Sequence, residues 1–162
     1  MRFWIRLGGD QIWGGPGNDT LHTGGWQDDS TEDFNYNSES LYGASGDDSL
    51  YIDAGGLVFD DNGNLINTRW THADGGEGSD TYYWNTQSGS VGISDWYGHD
   101  SDVDTLVLTD VVDTSNIIFT VGNHNFITIN YDDEVNNIHS NINLWGILES
   151  GGHGIDQLQF EN

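Results

Sequence analysis

Three glycine-rich hexads carry the clearest chemistry in this sequence, and each ends on an aspartate. They are Gly14-Gly15-Pro16-Gly17-Asn18-Asp19, Gly43-Ala44-Ser45-Gly46-Asp47-Asp48 and Gly75-Gly76-Glu77-Gly78-Ser79-Asp80. Glycine at the first and fourth places permits sharp turns that aim backbone carbonyl groups inward. Carbonyl and carboxylate oxygens are the hard ligands that calcium prefers, at flexible geometry and with six to eight donors. Each hexad therefore predicts part of a calcium site, whereas an isolated hexad would be interpreted as a surface turn.

A short strand-like piece follows each hexad, with a large apolar residue two positions after the aspartate. These residues are Leu21, Leu50 and Tyr82. The resulting nonapeptide predicts half a turn of a parallel β structure, with the apolar side chain inside. A degenerate copy includes Asp10, and a weaker one includes Asp29.

These nonapeptides resemble the repeat GGxGxDxUx of RTX, or haemolysin-type, calcium-binding proteins. The final Ile155-Asp156-Gln157-Leu158-Gln159-Phe160 also resembles the signature of the related region that follows such repeats. The resemblance covers about residues 5–162. It implies a bacterial protein exported unfolded by type I secretion that folds on calcium outside the cell. The segment Met1–Leu7 lacks the continuous apolar run and the cleavage site that a secretory signal peptide is expected to have.

Counting half-turns between the repeats also predicts on which side of the coil each acidic side chain lies. Asp19, Asp48 and Asp80 are expected to stack on one side of the coil. The other side is expected to carry Asp10, Asp29 and Asp95. The densest acidic cluster consists of Asp95, Asp100, Asp102 and Asp104; it is interpreted as a further calcium site or as a solvated charged loop, with Asp95 and Asp104 favoured because each flanks a strand.

The full set of predicted calcium ligands combines turn residues with carboxylates. It consists of Asp10, Gly14, Pro16, Gly17, Asp19, Asp29, Gly43, Ser45, Gly46, Asp48, Gly75, Glu77, Gly78, Asp80, Asp95, Asp100, Asp102 and Asp104.

The net charge limits the classes of molecule that this chain is expected to bind. Of 162 residues, 27 are acidic and three are basic, giving a net charge of −24. Nucleic acid and anionic membrane surfaces are excluded as partners because phosphate binding needs positive charge. No apolar run is long enough for a membrane span. The absence of cysteine excludes disulfides and thiolate metal sites. Bound cations are favoured over a salt-adapted surface as the reason for the acids, since most are aspartates beside glycine and asparagine.

The aromatic residues suggest a second binding function. Rings near calcium-held loops can stack on sugars, and the candidates are Trp26, Trp70, Trp96, Tyr97 and Trp145. The alternative function is thus a calcium-dependent carbohydrate-binding or adhesin module that attaches to a glycan or a host-cell surface. The competing interpretation is that the rings close a small β core, as expected for Trp13, Tyr82, Tyr83 and Trp84 at or beside inward positions.

No catalytic constellation is found. The sequence contains no Gly-x-Ser-x-Gly or His-Glu-x-x-His motif, and its six histidines are scattered. We expect no catalysis from this chain. A small hydrolase with two carboxylates remains a third hypothesis, because a sequence does not distinguish such a pair from solvated acids.

The predicted fold is all-β. A short, interrupted right-handed parallel β-roll is expected over residues 1–95, with insertions at about 27–40 and 57–72, the second containing a hairpin at Leu57–Ile66. Antiparallel strands over 96–162 are expected to cap this roll. The roll and the cap are expected to form one continuous domain. The predicted function is a calcium-binding module that folds on its ion.

Overall fold

The computed structural model describes residues 2–4, 11–23, 39–53, 56–59, 65–86, 89–95, 97–99, 101–111, 113–122, 126–135, 138–145 and 154–161. These residues form fourteen strands and one 3-10 turn at Thr114–Asn116. The strands are β1 (Arg2–Trp4), β2 (Gln11–Pro16), β3 (Thr20–His22), β4 (Glu39–Ser45), β5 (Ser49–Ile52), β6 (Gly56–Phe59), β7 (Leu65–Glu77), β8 (Thr81–Asn85), β9 (Ser90–Ser94), β10 (Asp104–Thr109), β11 (Ile117–Val121), β12 (Phe126–Asp133), β13 (Ile138–Trp145) and β14 (Ile155–Phe160).

The strands form two sheets. The six-stranded sheet has the order β1-β3-β5-β8-β10-β14, and every neighbouring pair in it is parallel. The eight-stranded sheet has the order β11-β12-β13-β9-β7-β4-β2, with β6 beside the start of β7. Its β11–β12 and β12–β13 pairs are antiparallel, and β13, β9, β7, β4 and β2 are parallel neighbours. From β2 to β10, successive strands therefore alternate between the two sheets. The exception among the described strands is β6, which pairs with the next strand, β7.

The core lies between the two sheets. Leu21, Leu50 and Tyr82 occupy equivalent positions of the six-stranded sheet and are fully buried. Strand alternation sends every second side chain inward, and Leu41 and Ile93 supply the opposing layer from the other sheet. Each parallel pair repeats one register, so the apolar residue after each aspartate falls in one row of the core.

The turns between the sheets require unusual backbone angles. Gly46 has φ of 119° and Gly78 has φ of 123°, values that side-chain-bearing residues rarely adopt. Ala44 occupies the second place of its hexad with φ of 89°, where the other two hexads have glycine. Successive turns pack directly on one another, since the Gly46 N–H donates to the Glu77 carbonyl oxygen at 2.7 Å.

The predicted fold class was wrong. Strands assigned to an antiparallel cap belong instead to the parallel arrangement, because β10 and β14 extend the six-stranded sheet. β13 pairs in parallel with β9, so the antiparallel strands β11–β13 widen the eight-stranded sheet rather than closing an end. The cause is visible in sequence: Asp104-Thr-Leu and Asp156-Gln-Leu repeat the Asp-x-apolar pattern of the hexad repeats.

The second predicted insertion contains a hairpin, as expected. β6 pairs antiparallel with the first part of β7, from Gly56 opposite Arg69 to Phe59 opposite Leu65. Most of the first insertion, at 27–40, lies outside the described residues. Within the described ranges, no helix has the length and hydropathy that crossing a membrane requires.

Candidate functional site

Five aspartates stand in line where the strands of the six-stranded sheet begin. This aspartate column consists of Asp19, Asp48, Asp80, Asp104 and Asp156. Each backbone N–H donates to a carboxylate oxygen of the next member, at 2.7 Å from Asp19 to Asp48, 2.7 Å from Asp48 to Asp80 and 2.8 Å from Asp80 to Asp104. The Asp104 N–H donates to Asp156 at 3.0 Å. The predicted stacking of Asp19, Asp48 and Asp80 is therefore present.

The first glycine of each hexad makes room for the carboxylate of the same hexad. A Cβ added at Gly43 would overlap Asp48 Oδ2 and the Gly75 carbonyl oxygen, and one added at Gly75 would overlap Asp80 Oδ2. At Gly14 the corresponding neighbours are Asp19 Oδ2 at 2.8 Å and the Gly43 carbonyl oxygen at 2.9 Å. Carboxylate and carbonyl oxygens of adjacent turns thus converge on one point.

Four members of the column, Asp19, Asp48, Asp80 and Asp104, are buried, whereas Asp156 at its end is exposed. Part of the hydrogen-bonding capacity of the buried members is unused. Asp48 and Asp80 are 1% and 0% exposed. Their Oδ1 atoms accept backbone N–H groups, but within the described residues their Oδ2 atoms have no hydrogen-bond partner. Burial raises the pKa of Asp48, and it raises the pKa of Asp80 to about 7, with the charges of Asp48 and Asp104 adding to the effect. Buried oxygens of this kind must be protonated or neutralised by a cation.

Asp95 joins the column from the eight-stranded sheet. It follows β9, is buried, and shares a hydrogen bond with Asp104. Burial raises the pKa of both carboxyls, and the Asp104 charge raises that of Asp95 further. The expectation that Asp95 lies on the opposite side of the coil was wrong, because the β9–β10 turn returns on the same side as the hexads.

Asp102 ties this turn to the third hexad. Its Oδ2 accepts the His99 N–H at 2.7 Å and the Gly78 N–H at 3.3 Å. A cavity of about 430 Å³ lies here, lined by Ser45, Gly46, Glu77, Gly78, Tyr97, Gly98, His99 and Asp102.

The remaining predicted ligands are dispersed. Pro16, Gly17 and Glu77 are exposed at the outer edge of their turns, away from the buried carboxylates. Asp10, Asp29 and Asp100 lie outside the described residues. Among the described residues, no group of three or more His, Asp or Glu side chains is placed to hold a metal ion. Any cation at the column therefore takes most of its ligands from backbone carbonyl groups.

Three residues near the aspartate column were not among the predicted site residues. Asp156 extends it, and its signal was the hexad Gly151-Gly152-His153-Gly154-Ile155-Asp156, which has glycine at the first and fourth places and aspartate at the sixth, as the other three have. The hydroxyl of the buried Tyr82 accepts the Gly75 N–H at 2.7 Å. Burial raises the pKa of Asp74 to about 6, and its Oδ1 has no partner among the described residues. No sequence signal separates Asp74 from a solvated acid.

The predicted sugar-stacking residues have mixed placements. Trp70 and Trp145 lie 45% and 40% exposed on the eight-stranded sheet, and Tyr97 is 73% exposed in the β9–β10 turn. Trp26 and Trp96 lie outside the described residues. Trp84 and Tyr82 are fully buried in the core, whereas Trp13 is 60% exposed.

No model of a known protein family matches the chain, and no curated protein matches its sequence.

Proposed function

We propose that this chain is a calcium-binding module whose turn edge is stabilised by the ion. One observation carries the proposal: Asp48 and Asp80, in the middle of the aspartate column, are buried, while the Oδ2 atom of each lacks a hydrogen-bond partner among the described residues. An acidic cluster alone does not indicate a site. Buried carboxylate oxygens without donors do, because leaving such a group uncompensated is strongly unfavourable.

Electrostatics favour a cation over an uncompensated column. Neighbouring strands lie about 4.8 Å apart, so two ionised members of the column repel by roughly 3–4 kcal/mol at an effective dielectric constant near 20. With a net charge of −24, the rest of the chain adds to the repulsion. A divalent ion between adjacent turns would neutralise two such charges at once.

The donors select the type of cation. The oxygens that converge at Gly43 and Gly75 are carboxylate and backbone carbonyl oxygens. Calcium accepts such a set at flexible geometry, magnesium prefers a tight octahedron with retained water, and zinc prefers His or Cys. Oδ2 of Asp48 and Oδ2 of Asp80, with the carbonyl groups of the hexad turns, would hold the ion.

Calcium and protons compete for the same oxygens. In the metal-free protein the column folds with protons on some carboxyls, as the pKa of about 7 for Asp80 indicates. When bound, calcium supplies the neutralising charge at higher pH and joins one turn to the next. Folding and binding are therefore coupled.

An extracellular location fits the calcium affinity that we expect for this module. Extracellular calcium modules bind in the range of roughly 10⁻⁴–10⁻³ M. Membership of the RTX family, secretion by a bacterium and the absence of catalysis remain proposals that the sequence resemblance supports.

Circular dichroism during calcium titration tests the proposal. Protein in chelator at pH 8 is titrated with calcium, and with magnesium and sodium chloride as controls. We expect a cooperative gain of β signal with calcium alone. Isothermal titration calorimetry should show that Asp80→Asn binds calcium at least about tenfold more weakly than the wild type. Asp110→Asn is the matched control, since Asp110 is exposed at φ of 58°, which asparagine also tolerates.

Two results would contradict the proposal. One is a protein already fully folded in chelator at pH 8 and unchanged by calcium. The other is an equal response to sodium chloride or magnesium, which would mean that the acids respond to screening alone.

A further inference from the structure

The carboxylate of Asp95, at the end of β9, has no part in the ion site proposed for Asp48 and Asp80. Asp95 is 2% exposed, and within the described residues no N–H group or alcohol hydroxyl donates to either of its carboxylate oxygens. We propose that Asp95 and Asp104 hold a second calcium ion, in the turn that joins β9 to β10. The proposal rests on the calcium-binding function proposed above, but its site is separate from that of Asp48 and Asp80.

Asp95 stands at a place where the hexads have glycine. Ala73 of β7 is in register with Ile93 of β9. Two residues further along the chain stand Gly75 and Asp95. A Cβ on Gly75 would overlap Asp80 Oδ2, so the first place of a hexad faces the aspartate of its own turn. In the β9–β10 turn this place carries a carboxylate, and two acids therefore meet where each hexad has one.

The second acid of the pair is Asp104, at the start of β10. The carboxyl groups of Asp95 and Asp104 are in hydrogen-bond contact. Asp104 is 1% exposed, and its Oδ1 accepts the Asp80 N–H at 2.8 Å. Because β9 belongs to the eight-stranded sheet and β10 to the six-stranded sheet, an ion held by this pair would join the two sheets.

A shared proton would compensate only part of this pair. One proton between two carboxyl groups makes one hydrogen bond, so it serves one oxygen of Asp95. The other oxygen stays buried without a donor among the described residues, which is unfavourable. Calcium can bind both oxygens of one carboxylate. An ion bound to both oxygens of Asp95 and to Asp104 therefore compensates the whole group.

The turn itself closes over the carboxylate. A Cβ on Gly98 would lie 3.1 Å from Asp95 Oδ2 and 3.6 Å from Asp95 Oδ1, so the absence of a side chain lets the backbone approach both oxygens. The turn from Asp95 to Asp104 has ten residues, whereas a hexad has six. The longer turn offers additional backbone carbonyl groups, and calcium accepts about six to eight oxygens at flexible geometry.

Isothermal titration calorimetry of the whole chain with calcium chloride at pH 7 tests the proposal, because it counts the ions bound. We expect Asp95→Asn and Asp95→Ala each to bind about one calcium ion fewer per chain than the wild type. Asp48→Asn should also lose about one ion, and the double variant Asp48→Asn with Asp95→Asn should lose about two, because the sites are separate. Asp110→Asn is the matched control, since Asp110 is exposed, and it should bind as the wild type does.

Far-UV circular dichroism verifies that each variant is folded, and Asp95→Ala provides a second test should Asp95→Asn fail to fold. The second site is overturned if the folded Asp95 variants bind as many calcium ions as the wild type, which would mean that the pair shares a proton instead. It is also overturned if Asp95→Asn and Asp48→Asn each abolish the same single ion.

The two calcium proposals fail in different ways. A wild type that binds no calcium would overturn both of them. Loss of an ion in Asp48→Asn without loss in Asp95→Asn would overturn the second site alone. Loss of an ion in Asp95→Asn without loss in Asp48→Asn would support the second site and count against the site at Asp48 and Asp80.

Discussion

The chain contains two acidic regions that look alike in sequence and differ in structure. One is the aspartate column, where Asp48 and Asp80 are buried and their Oδ2 atoms have no partner among the described residues. The other is an open cavity of about 730 Å³ beside β11–β13, lined by Asp113, Asn116, Ile118, Asp132, Asp133, Glu134, Val135 and His139. Both regions gather carboxylates, and Asp133 of the open cavity is also buried, but its Oδ1 accepts the Val135 N–H at 3.0 Å.

The acids of the open cavity already have ordinary roles. Asp113 accepts the Ser115 N–H at 2.8 Å at the start of the 3-10 turn, and this hydrogen bond lowers its pKa. Asp132 is 48% exposed and lies 3.0 Å from His139 Nδ1. The difference between the regions shows that burial and missing donors, rather than the number of acids, indicate a cation site.

The largest expected effect is the pH dependence of the metal-free fold. Burial raises the folded-state pKa of Asp48, Asp80 and Asp104 above the ordinary value of 3.8. Their protonated forms therefore stabilise the folded state fully below about pH 4, and this contribution is lost as pH rises through the Asp80 value of about 7. Urea unfolding in chelator should show a midpoint that falls between pH 4 and pH 8. A midpoint that rises over this range would contradict the account.

The second-largest effect is expected when one buried charge is removed. Asp80→Asn keeps the shape of the side chain without its charge, so it should stabilise the metal-free protein at pH 6, where the wild type still folds without calcium, by about 2–4 kcal/mol. Urea unfolding in chelator measures the gain. Since the wild type gains the same neutralisation from calcium, the stability difference should shrink or reverse when calcium is added. Destabilisation in chelator would show that the charge is already compensated.

A smaller effect is expected at Ala44. Its φ of 89° is unfavourable for a residue with a Cβ, and the equivalent residues Gly15 and Gly76 have φ of 89° and 96°. Ala44→Gly should therefore stabilise the turn by about 1 kcal/mol. Thermal unfolding in saturating calcium measures it, and a lower melting temperature would count against strain at this position.

The smallest effect is expected in the open cavity. Asp132→Asn removes a solvated charge, so the free energy of unfolding should change by less than about 0.5 kcal/mol, with or without calcium. The same urea experiment as for Asp80→Asn measures it. An effect as large as that of Asp80→Asn would erase the contrast between the two regions.

Part of this arrangement could be predicted from the sequence. The hexads placed Asp19, Asp48 and Asp80 in one stack because each hexad forms the same turn between the sheets, although 29 and 32 residues separate the successive aspartates. The nearly constant triplet after each aspartate likewise identified Leu21, Leu50 and Tyr82 as inward residues.

The rest of the fold depends on strand pairings that local sequence patterns do not reveal. Asp104 and Asp156 continue the stack because β10 and β14 extend the parallel sheet, although 52 residues separate them. At Asp104 only the Asp-x-apolar triplet is present, whereas Asp156 ends a fourth hexad, Gly151-Gly152-His153-Gly154-Ile155-Asp156, which the sequence prediction left out. The predicted antiparallel cap was therefore wrong. The expectation that Trp13 closes the core was wrong, because Ile12 is the inward residue of β2 and Trp13, next to it, is 60% exposed.

Anomalous X-ray scattering from crystals grown in calcium tests the central claim most directly. The account predicts calcium peaks between successive turns, at about 2.3–2.6 Å from Oδ2 of Asp48 and of Asp80. Peaks found only beside the exposed acids of the open cavity, or no peaks in calcium-saturated crystals, would contradict it.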